Sequence, residues 1–375
     1  MRGGLLGGVT LEPNAAVSLY AFDYSNIRGD VAQSPKPGST ITMRDVARVA
    51  GVSRMTVSRA LRKDSPVSRE TCEKILKVVR DMNYVPDQMA GSLTTKRSGF
   101  VAMLVPSLNN LHFAETVQSL TEGLEGIGRQ ILLGHTDYSA AREEKLVEDM
   151  LRRRPEAIVL SYDGHSDRTV TLLSEANVPV IELWERPEDP IGHTIGFSNR
   201  VAARDMTTAL IEQGYRSIAF MGEEKDDWTR GAARRTGFVA AMDAAGLSAH
   251  RVFQVGKPPL SIEEGATATP ALLQRYPDTD CIFCVSDAPA FGALSALTGQ
   301  GLSVPRDMGV AGFGNFEVSR FSSPAISTVV VDPKGIGRAT ARLIGDLLEG
   351  HAPTDIQRQI DIQAIPEMRA STRRR

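Results

Sequence analysis

The segment from Ile41 to Arg62, ITMRDVARVAGVSRMTVSRALR, contains two short helical patterns separated by a glycine. Thr42 followed three residues later by Asp45 has the spacing of a capping box, which predicts that a helix begins here. Gly51 is expected to take the positive φ of a tight turn, and Ser53 is expected to cap the second helix. The segment therefore predicts a helix-turn-helix, in which the second helix enters the DNA major groove.

Each of these two helices has one apolar face and one polar face. The apolar faces, which are expected to pack inward, consist of Val46, Val49, Ala50, Val57, Ala60 and Leu61. The start and the outer face of the second helix carry Arg54, Met55, Thr56, Ser58 and Arg59. A solvated basic hairpin would have a similar composition. Because the capping box, the turn glycine, the second cap and the basic face coincide in one short segment, DNA binding is favoured.

A third helix is predicted after Pro66-Val67-Ser68. Four apolar residues recur there at helical spacing and mark an inner face: Cys72, Ile75, Val79 and Met82. Tyr84-Val85-Pro86 ends the helix, and Tyr84 fits either the small core or a phosphate contact. We therefore expect a three-helix domain over residues 40–86 that holds the second helix in place.

The charge of the chain is unevenly distributed, although the net charge is only −2. Residues 40–100 contain 12 Lys and Arg against 6 Asp and Glu, whereas residues 101–375 contain 28 against 36. A basic head on an acidic body is typical of a nucleic-acid-binding module attached to a second functional part.

The sequence of the helix-turn-helix resembles the motif of the lactose-repressor (LacI/GalR) family, D-V-A-x-x-A-G-V-S-x-x-T-V-S-R. The matching residues are Asp45-Val46-Ala47, Ala50-Gly51-Val52-Ser53 and Thr56-Val57-Ser58-Arg59, without a departure. The resemblance implies a repressor that binds double-stranded operator DNA as a homodimer, or as a tetramer. The expected DNA-binding residues are Thr42, Ser53, Arg54, Met55, Thr56, Ser58, Arg59, Ser68, Tyr84 and Leu93.

Two of these residues are expected to carry the operator preference. Arg54 and Met55 lead the second helix; the guanidinium suits a guanine and the Met55 side chain suits a thymine methyl group. The other helix-turn-helix residues are expected to dock on the phosphate backbone. The resemblance implies that residues 87–98 form a hinge helix and linker, in which Leu93 wedges into the minor groove. Gly91 weakens helix formation there, and Asp87-Gln88 replaces the usual Asn-Arg, so a looser hinge is expected.

From residue 99 onward the sequence alternates between strand and helix patterns, which predicts parallel sheets covered by helices on both faces. The predicted strands are Val101–Val105, Ile131–Leu133, Ala157–Leu160, Val180–Leu183, Ile218–Met221, Cys281–Val285, Met308–Phe313 and Ile326–Val331. The predicted helices are Phe113–Ile127, Ala141–Arg153, Val201–Ile211, Phe238–Ala245 and Ala288–Leu297. The fold class is therefore α/β for the large part of the chain.

The family resemblance extends over about residues 41–372 and implies a bilobed, periplasmic-binding-protein-like core of two Rossmann-like lobes. Ile195-Gly196-Phe197-Ser198-Asn199 matches the first crossing between lobes, and residues 365–372 match the final segment. We place the crossings near Asn199, Val329 and His351. Lobe 1 is then expected to comprise about 99–198 and 329–351, and lobe 2 about 199–328 and 352–375, with the effector-binding cleft and the dimer interface in residues 99–375.

Polar and aromatic residues near the predicted strand ends are candidates for effector binding, because ligands of such sheets bind outside the carboxyl ends of the strands. They are Asn110, Phe113, His135, Tyr162, Trp184, Arg230, Arg234, Asp287 and Asn315. For Phe113 a helix core is an equal alternative, and for His135, Tyr162 and Trp184 a rim or core position is the commoner outcome. Asp287 could bind hydroxyls or cap the next helix.

Arg230 and Arg234 are four residues apart, so they share one face of a helix, and paired guanidiniums suit a carboxylate or phosphate. The alternative is a solvated basic face. The resemblance implies an effector contact for Arg234. Where the family usually has an acidic residue for sugar hydroxyls, this chain has Gly314, followed by Asn315. The lost acid and the second arginine favour an anionic effector.

Within the family, the chain resembles the gluconate-repressor branch most. The resemblance rests on residues 53–59, Val105-Pro106-Ser107-Leu108, and Gly196-Phe197 with Met206-Thr207-Thr208. A sugar acid such as gluconate is therefore the expected effector. Neither a cofactor nor a metal site is expected.

Two other classes of protein remain as alternatives. A periplasmic-type sugar-binding protein would share the bilobed core, but the basic head and the poor signal-peptide pattern of residues 1–39 count against it. An enzyme fused to a DNA-binding domain lacks support, since G-x-x-x-x-G-K-[ST], H-E-x-x-H and G-x-S-x-G are absent from the sequence.

Residues 1–39 are expected to be a disordered extension. The three cysteines are expected to be buried free thiols in a reducing cytoplasm, and no apolar run is long enough for a membrane span.

Overall fold

A computed structural model describes residues 41–61, 66–86, 98–161, 164–224, 229–351 and 358–373. The chain falls into two units, residues 1–87 and 88–375. The predicted extension over 1–39 and most of the predicted hinge, including Leu93, lie outside the described residues.

The first unit is the predicted helix-turn-helix followed by a third helix. Its helices are α1 Met43–Ala50, α2 Arg54–Ala60 and α3 Arg69–Asp81. Thr42 and Asp45 form the predicted capping box, with the Thr42 backbone N–H donating to the Asp45 carboxylate at 3.0 Å. Gly51 has a φ of 68°, and the Ser53 hydroxyl accepts from the Thr56 N–H at 3.1 Å. The caps and the turn therefore form where the sequence predicts them.

The core of this unit is small, and one residue of the predicted inner face, Val49, lies outside it. Val46, Ala47, Ala50 and Ile75 are buried, whereas Val49 is 56% exposed. Residues advance by about 100° along a helix, so a face centred on Val46, Ala47 and Ala50 leaves Val49 at its margin. The expectation that Val49 packs inward was wrong, and Ala47 completes the buried face instead.

The second unit consists of alternating strands and helices. Its first half contains β1 Phe100–Val105, α4 Leu111–Glu125, β2 Gln130–His135, α5 Ala140–Arg152, β3 Ile158–Ser161, α6 Asp167–Glu175, β4 Val180–Leu183, β5 His193–Gly196 and α7 Asn199–Glu212. Its second half contains β6 Ile218–Gly222, α8 Arg230–Ala244, β7 Val252–Gln254, α9 Ile262–Arg275, β8 Cys281–Cys284, α10 Asp287–Gly299, β9 Gly309–Ala311, α11 Glu317–Phe321, β10 Thr328–Val330, α12 Pro333–Leu348, β11 Gln359–Asp361 and β12 Ile365–Glu367.

Two parallel sheets define the two lobes of this unit. The first has the strand order β11-β5-β4-β3-β1-β2, and the second has the order β7-β6-β8-β9. Helix α12 packs closely on α4 of the first lobe, where Gly337 lies against the backbone of Thr116 and Leu120. Strands β10 and β12 form a separate antiparallel pair, in which Val329 lies opposite Pro366.

The position of β11 corrects the predicted lobe boundary. Gln359–Asp361 pairs in parallel with β5 of the first sheet, in the register Ile360 to Ile195. The chain therefore remains on the first lobe as far as Asp361, and the expected crossing near His351 is placed too early. The last passage to the second lobe runs through β12, after which Ser371 bonds to the backbone of Val310 and Ser327.

Candidate effector site

A cavity of about 70 Å³ lies between the two lobes at the carboxyl ends of their strands. Residues from the first lobe form one wall: Asn110, His112, Phe113, Tyr138 and Trp184. Residues from the second lobe form the other: Glu223, Thr229, Arg230, Gly231, Arg234, Pro259, Leu260 and Ser286. Five of the predicted effector residues, Asn110, Phe113, Trp184, Arg230 and Arg234, are thus brought together around one space.

Arg230 is the first residue of α8 and reaches across the cleft. Thr229 caps this helix by accepting from the Ala232 N–H at 3.1 Å. The buried guanidinium of Arg230 donates to the Ser161 hydroxyl, at the end of β3 in the first lobe, over 2.6 Å. Its Cζ also lies 5.1 Å from the centre of the Phe113 ring, a cation–π distance. Arg230 therefore joins the lobes at the cavity wall.

Arg234 lies one turn further along α8, and its guanidinium is hydrogen-bonded to other groups of the protein. Its Nε donates to Asn199 Oδ1 at 2.8 Å, and its Nη1 donates to the Val285 carbonyl at 2.7 Å. The guanidinium lies 3.7 Å above the Phe313 ring. Burial, and secondarily the charge of Arg230, lowers the pKa of Arg234 to about 10, so the side chain is still cationic at neutral pH.

Trp184 provides a donor from the first lobe. The residue is 3% exposed and has a φ of 72°, an uncommon conformation for a bulky side chain and one found at functional sites. Its indole Nε1 is buried and has no hydrogen-bond partner in the part of the chain that the structure describes. A buried unpaired donor costs free energy, and an acceptor on a bound molecule would remove that cost.

Two carboxylates, Glu185 and Glu223, lie near the arginines. Burial raises the pKa of both groups, against the lowering effect of hydrogen bonds and of the neighbouring guanidiniums. Glu185 accepts from the Asn199 side chain at 2.9 Å. Glu223 lies against the start of α8, where a Cβ at Gly231 would fall 1.9 Å from its Oε2. Both carboxylates therefore lie in surroundings that disfavour their charged forms, next to the two guanidiniums.

Comparison with known proteins agrees with this arrangement. A model of the lacI family of bacterial regulatory proteins matches residues 42–87, and a model of a periplasmic binding protein-like domain matches residues 207–372. The transcriptional regulator IdnR of Escherichia coli (strain K12) is 33% identical over 305 residues, which cover 81% of this chain and 91% of IdnR. This chain belongs to the LacI family. It is a DNA-binding transcriptional regulator with an effector-binding domain.

Further members of the LacI family are similar over most of their length. The regulator GntR of the same strain is 31% identical over 312 residues, covering 83% of this chain and 93% of GntR. The crystal structure of a LacI family regulator from Silicibacter pomeroyi is 58% identical, with a TM-score of 0.71, and covers 74% of this chain and 100% of that one. No helix among the described residues is long and apolar enough to cross a membrane.

Three predicted effector residues lie outside the cavity. His135 is bonded through Nδ1 to the Arg142 guanidinium at 2.9 Å. The Asp287 carboxylate accepts from the Thr328 hydroxyl at 2.6 Å and from the Phe316 N–H at 2.7 Å. Asn315 Oδ1 accepts from Arg369 at 2.6 Å. Asp287 and Asn315 thus hold the loop after β9, and Tyr162 lies outside the described residues.

Several cavity residues were missed from the sequence, including His112, Tyr138 and Glu223. His112 precedes the predicted Phe113 in the same segment after a strand end. The position of that segment could therefore have identified His112 as a cavity residue. Glu223 directly follows β6, another strand end. Tyr138 and Leu260 come from loops whose path depends on tertiary packing, and no local pattern identifies them.

The helix-turn-helix presents most of its predicted DNA-binding residues to solvent. Ser53, Arg54 and Arg59 are exposed, and Met55 is 62% exposed. Thr42 is exposed at the start of α1, Thr56 and Ser58 are half-buried on α2, and Ser68 caps α3. Tyr84 is only 8% exposed and belongs to the core of this unit. Of the two positions that the sequence left open for Tyr84, its ring therefore occupies the core.

Proposed function

We propose that this regulator is a repressor of a sugar-acid utilisation operon and that a gluconate-like sugar acid in the inter-lobe cavity controls its affinity for operator DNA. The observation that carries the effector class is the convergence of Arg230 and Arg234 on one cavity. A guanidinium pair binds a carboxylate through charge-assisted hydrogen bonds. The unpaired Trp184 indole N–H, on the opposite wall, suits a hydroxyl oxygen of the same ligand.

The size of the cavity connects effector binding to a movement of the lobes. Its volume of about 70 Å³ corresponds to roughly two water molecules, whereas small-molecule sites usually measure about 300–1,000 Å³. A six-carbon acid therefore needs the walls to move apart, and the Arg230–Ser161 bond to exchange for contacts with the ligand. Such a ligand shifts the equilibrium between lobe arrangements only by its difference in affinity for them.

The effector experiment is a titration with sodium gluconate, compared with glucose at the same concentrations and ionic strength. We expect gluconate to raise the unfolding temperature and glucose to leave it unchanged, since a ligand at a hundred times its Kd stabilises by about 2.7 kcal/mol. Other sugar acids, such as galactonate and glucuronate, extend the series. Equal effects of gluconate and glucose would refute the anionic effector class.

A matched pair of variants on α8 tests the role of the arginines. Arg230→Gln should weaken gluconate binding by about tenfold to a hundredfold, because a hydrogen bond to a charged group contributes about 1.5–3 kcal/mol. Arg235→Gln removes the same charge from the same helix, at a position that does not line the cavity, and should bind gluconate as the unaltered protein does. If both variants lose affinity equally, the effect is one of general charge and not of the site.

The DNA arm of the proposal is a homodimer that reads a two-fold operator, because a two-fold protein matches a palindromic site; a tetramer is the alternative. Arg54 and Met55 would read bases, and Leu93 would enter the minor groove. Selection of bound fragments from random DNA should return a palindrome, with Arg54→Ala relaxing the preference at one position of each half-site. We place the protein in the cytoplasm with the DNA. We also propose that it is not an enzyme, and we therefore expect gluconate to be recovered unchanged after incubation with it.

A further inference from the structure

Three aromatic rings form a stack that crosses the cleft beside the cavity. The His112 imidazole lies 4.0 Å from the Phe316 ring with an interplanar angle of 18°, and 5.5 Å from the Trp184 ring with an angle of 14°. His112 and Trp184 belong to the first lobe, whereas Phe316 follows β9 in the second. The imidazole therefore connects the two lobes through direct ring contact.

A glycine in the second lobe provides the seat of the imidazole. Gly314 has a φ of 126°, and a Cβ there would lie 2.6 Å from His112 Cε1 and 3.2 Å from Phe316 Cε2. The His112 ring also hydrogen-bonds to the Gly314 backbone. Glycine is suited to this position for two reasons, the left-handed backbone and the absence of a side chain. The loop of one lobe is thus shaped around a ring of the other.

The loop that carries Gly314 and Phe316 is fixed within its own lobe. Asp287 accepts from the Phe316 N–H at 2.7 Å, and the Asn315 N–H donates to the Thr328 hydroxyl at 3.2 Å. Arg369 holds the Asn315 side chain at 2.6 Å. Because the loop backbone is tied at these points, the second lobe itself holds Phe316 in position beside His112.

The charge state of the imidazole suits this contact. Burial, followed by the positive charge of Arg234, lowers the pKa of His112 to about 3, so the ring is uncharged at neutral pH. An imidazolium would face two guanidiniums, since Arg230 and Arg234 line the same cavity. A neutral ring can stack on Phe316 and still offer one donor and one acceptor.

We propose that His112 is a positioning residue that sets how closely the lobes approach each other over the effector, acting through Gly314 and Phe316. It would thereby adjust effector affinity and, through the lobes, the response of the regulator. The consequence for affinity rests on the proposed effector function, whereas the contact between lobes rests on the geometry of the stack alone.

The test measures the exposure of Trp184 without any effector. The sequence has two tryptophans, so Trp228→Phe leaves Trp184 as the single reporter. In that background, Gly314→Ala should displace the imidazole and raise the acrylamide quenching constant at least threefold, as should His112→Ala. Gly301→Ala is the control, because Gly301 also has a positive φ of 79° but has open space around its Cβ position. Circular dichroism and the unfolding temperature verify that each variant is folded.

A double variant separates the ring contact from backbone strain. If the clash with the imidazole is the cause, adding Gly314→Ala to His112→Ala should change quenching no further. Quenching constants within 20% of the parent for both single variants would overturn the proposal. So would a Gly301→Ala variant that shows the same increase as Gly314→Ala.

The affinity arm uses gluconate as the probe. His112→Ala should change the Kd for gluconate at least fivefold while retaining DNA binding in the absence of gluconate, and an unchanged Kd would also overturn the proposal. If the unaltered protein does not bind gluconate, the proposed effector class fails. In that event the Gly314→Ala quenching measurement still decides whether the second lobe holds the imidazole in place against Trp184.

Discussion

A buried ion cluster in the first lobe predicts a specific dependence of stability on pH. His165 is 3% exposed, with Nδ1 2.6 Å from Glu143 Oε1 and Nε2 3.5 Å from Glu182 Oε1. Burial alone would lower the pKa of His165, but hydrogen bonds and charges from the two carboxylates outweigh it and raise the pKa to about 9. The imidazole is therefore cationic in the folded protein at neutral pH.

The magnitude and the pH range follow from this shift. A rise of the pKa from 6.5 to about 9 corresponds to about 3 kcal/mol at 1.36 kcal/mol for each unit. The folded state binds the proton more tightly than the unfolded state does. The stabilisation is therefore complete below pH 6.5, declines as the pH rises, and is lost above about pH 9.

The assay compares His165→Gln with the unaltered protein in urea unfolding at pH 6, 8 and 10, monitored by circular dichroism. The variant should be less stable by about 3 kcal/mol at pH 6, and the difference should shrink towards zero at pH 10. His351→Gln is the control, since the His351 side chain is 68% exposed, and it should show a small difference at every pH. A large His165→Gln difference that stays constant from pH 6 to pH 10 would show that packing, and not the charge cluster, stabilises this lobe.

The packing of the second lobe and its thiols lead to further predictions. Gly237→Ala should destabilise the protein by about 1–3 kcal/mol through overpacking, because its Cβ would lie 2.0 Å from the Arg200 carbonyl oxygen. Gly345 is a helical glycine with open space around its Cβ position, so Gly345→Ala should leave the unfolding temperature unchanged or raise it. A Gly345→Ala variant less stable than Gly237→Ala would refute the clash. Burial, with a smaller contribution from Asp287, raises the pKa of Cys284. Cys284 and the buried Cys281 should resist Ellman's reagent at pH 8 until denaturant is added, and rapid reaction of more than one thiol in the folded protein would contradict this.

The features that could be predicted from the sequence were those with a local cause. The capping box at Thr42, the positive φ of Gly51 and the Ser53 cap depend on neighbouring residues, so they formed as expected. Arg230 and Arg234 were grouped correctly because helical spacing places them on one face. Short strands were missed: β7 and β11 have only three residues each and are not continuously buried, so their patterns carry little signal.

Other features depend on contacts between distant parts of the chain. Helix α9 contains Pro270, which argues against a helix locally, and packing against α10 offsets it. Asn315 was expected at the ligand, and Asp287 either at the ligand or at a helix cap. Both hold a loop instead, because their partners Thr328 and Arg369 come from remote segments. His112 acquires its role only when Gly314, about two hundred residues later, lies beside it. Sequence spacing contains no trace of that pairing.

The bonds of Arg234 have a consequence for changing the ligand preference of this regulator. Of the five N–H groups of a guanidinium, one of Arg234 is committed to Asn199 and another to Val285. Asn199 in turn bonds to the Trp184 carbonyl and to Glu185, so a substitution of Arg234 would disturb the first passage between the lobes together with the cavity. A redesign for a different effector should therefore begin at Arg230 and Ser161, whose hydrogen bond joins the two lobes beside the cavity. Arg234 should be left unchanged, because its bonds hold the segment that passes between the lobes.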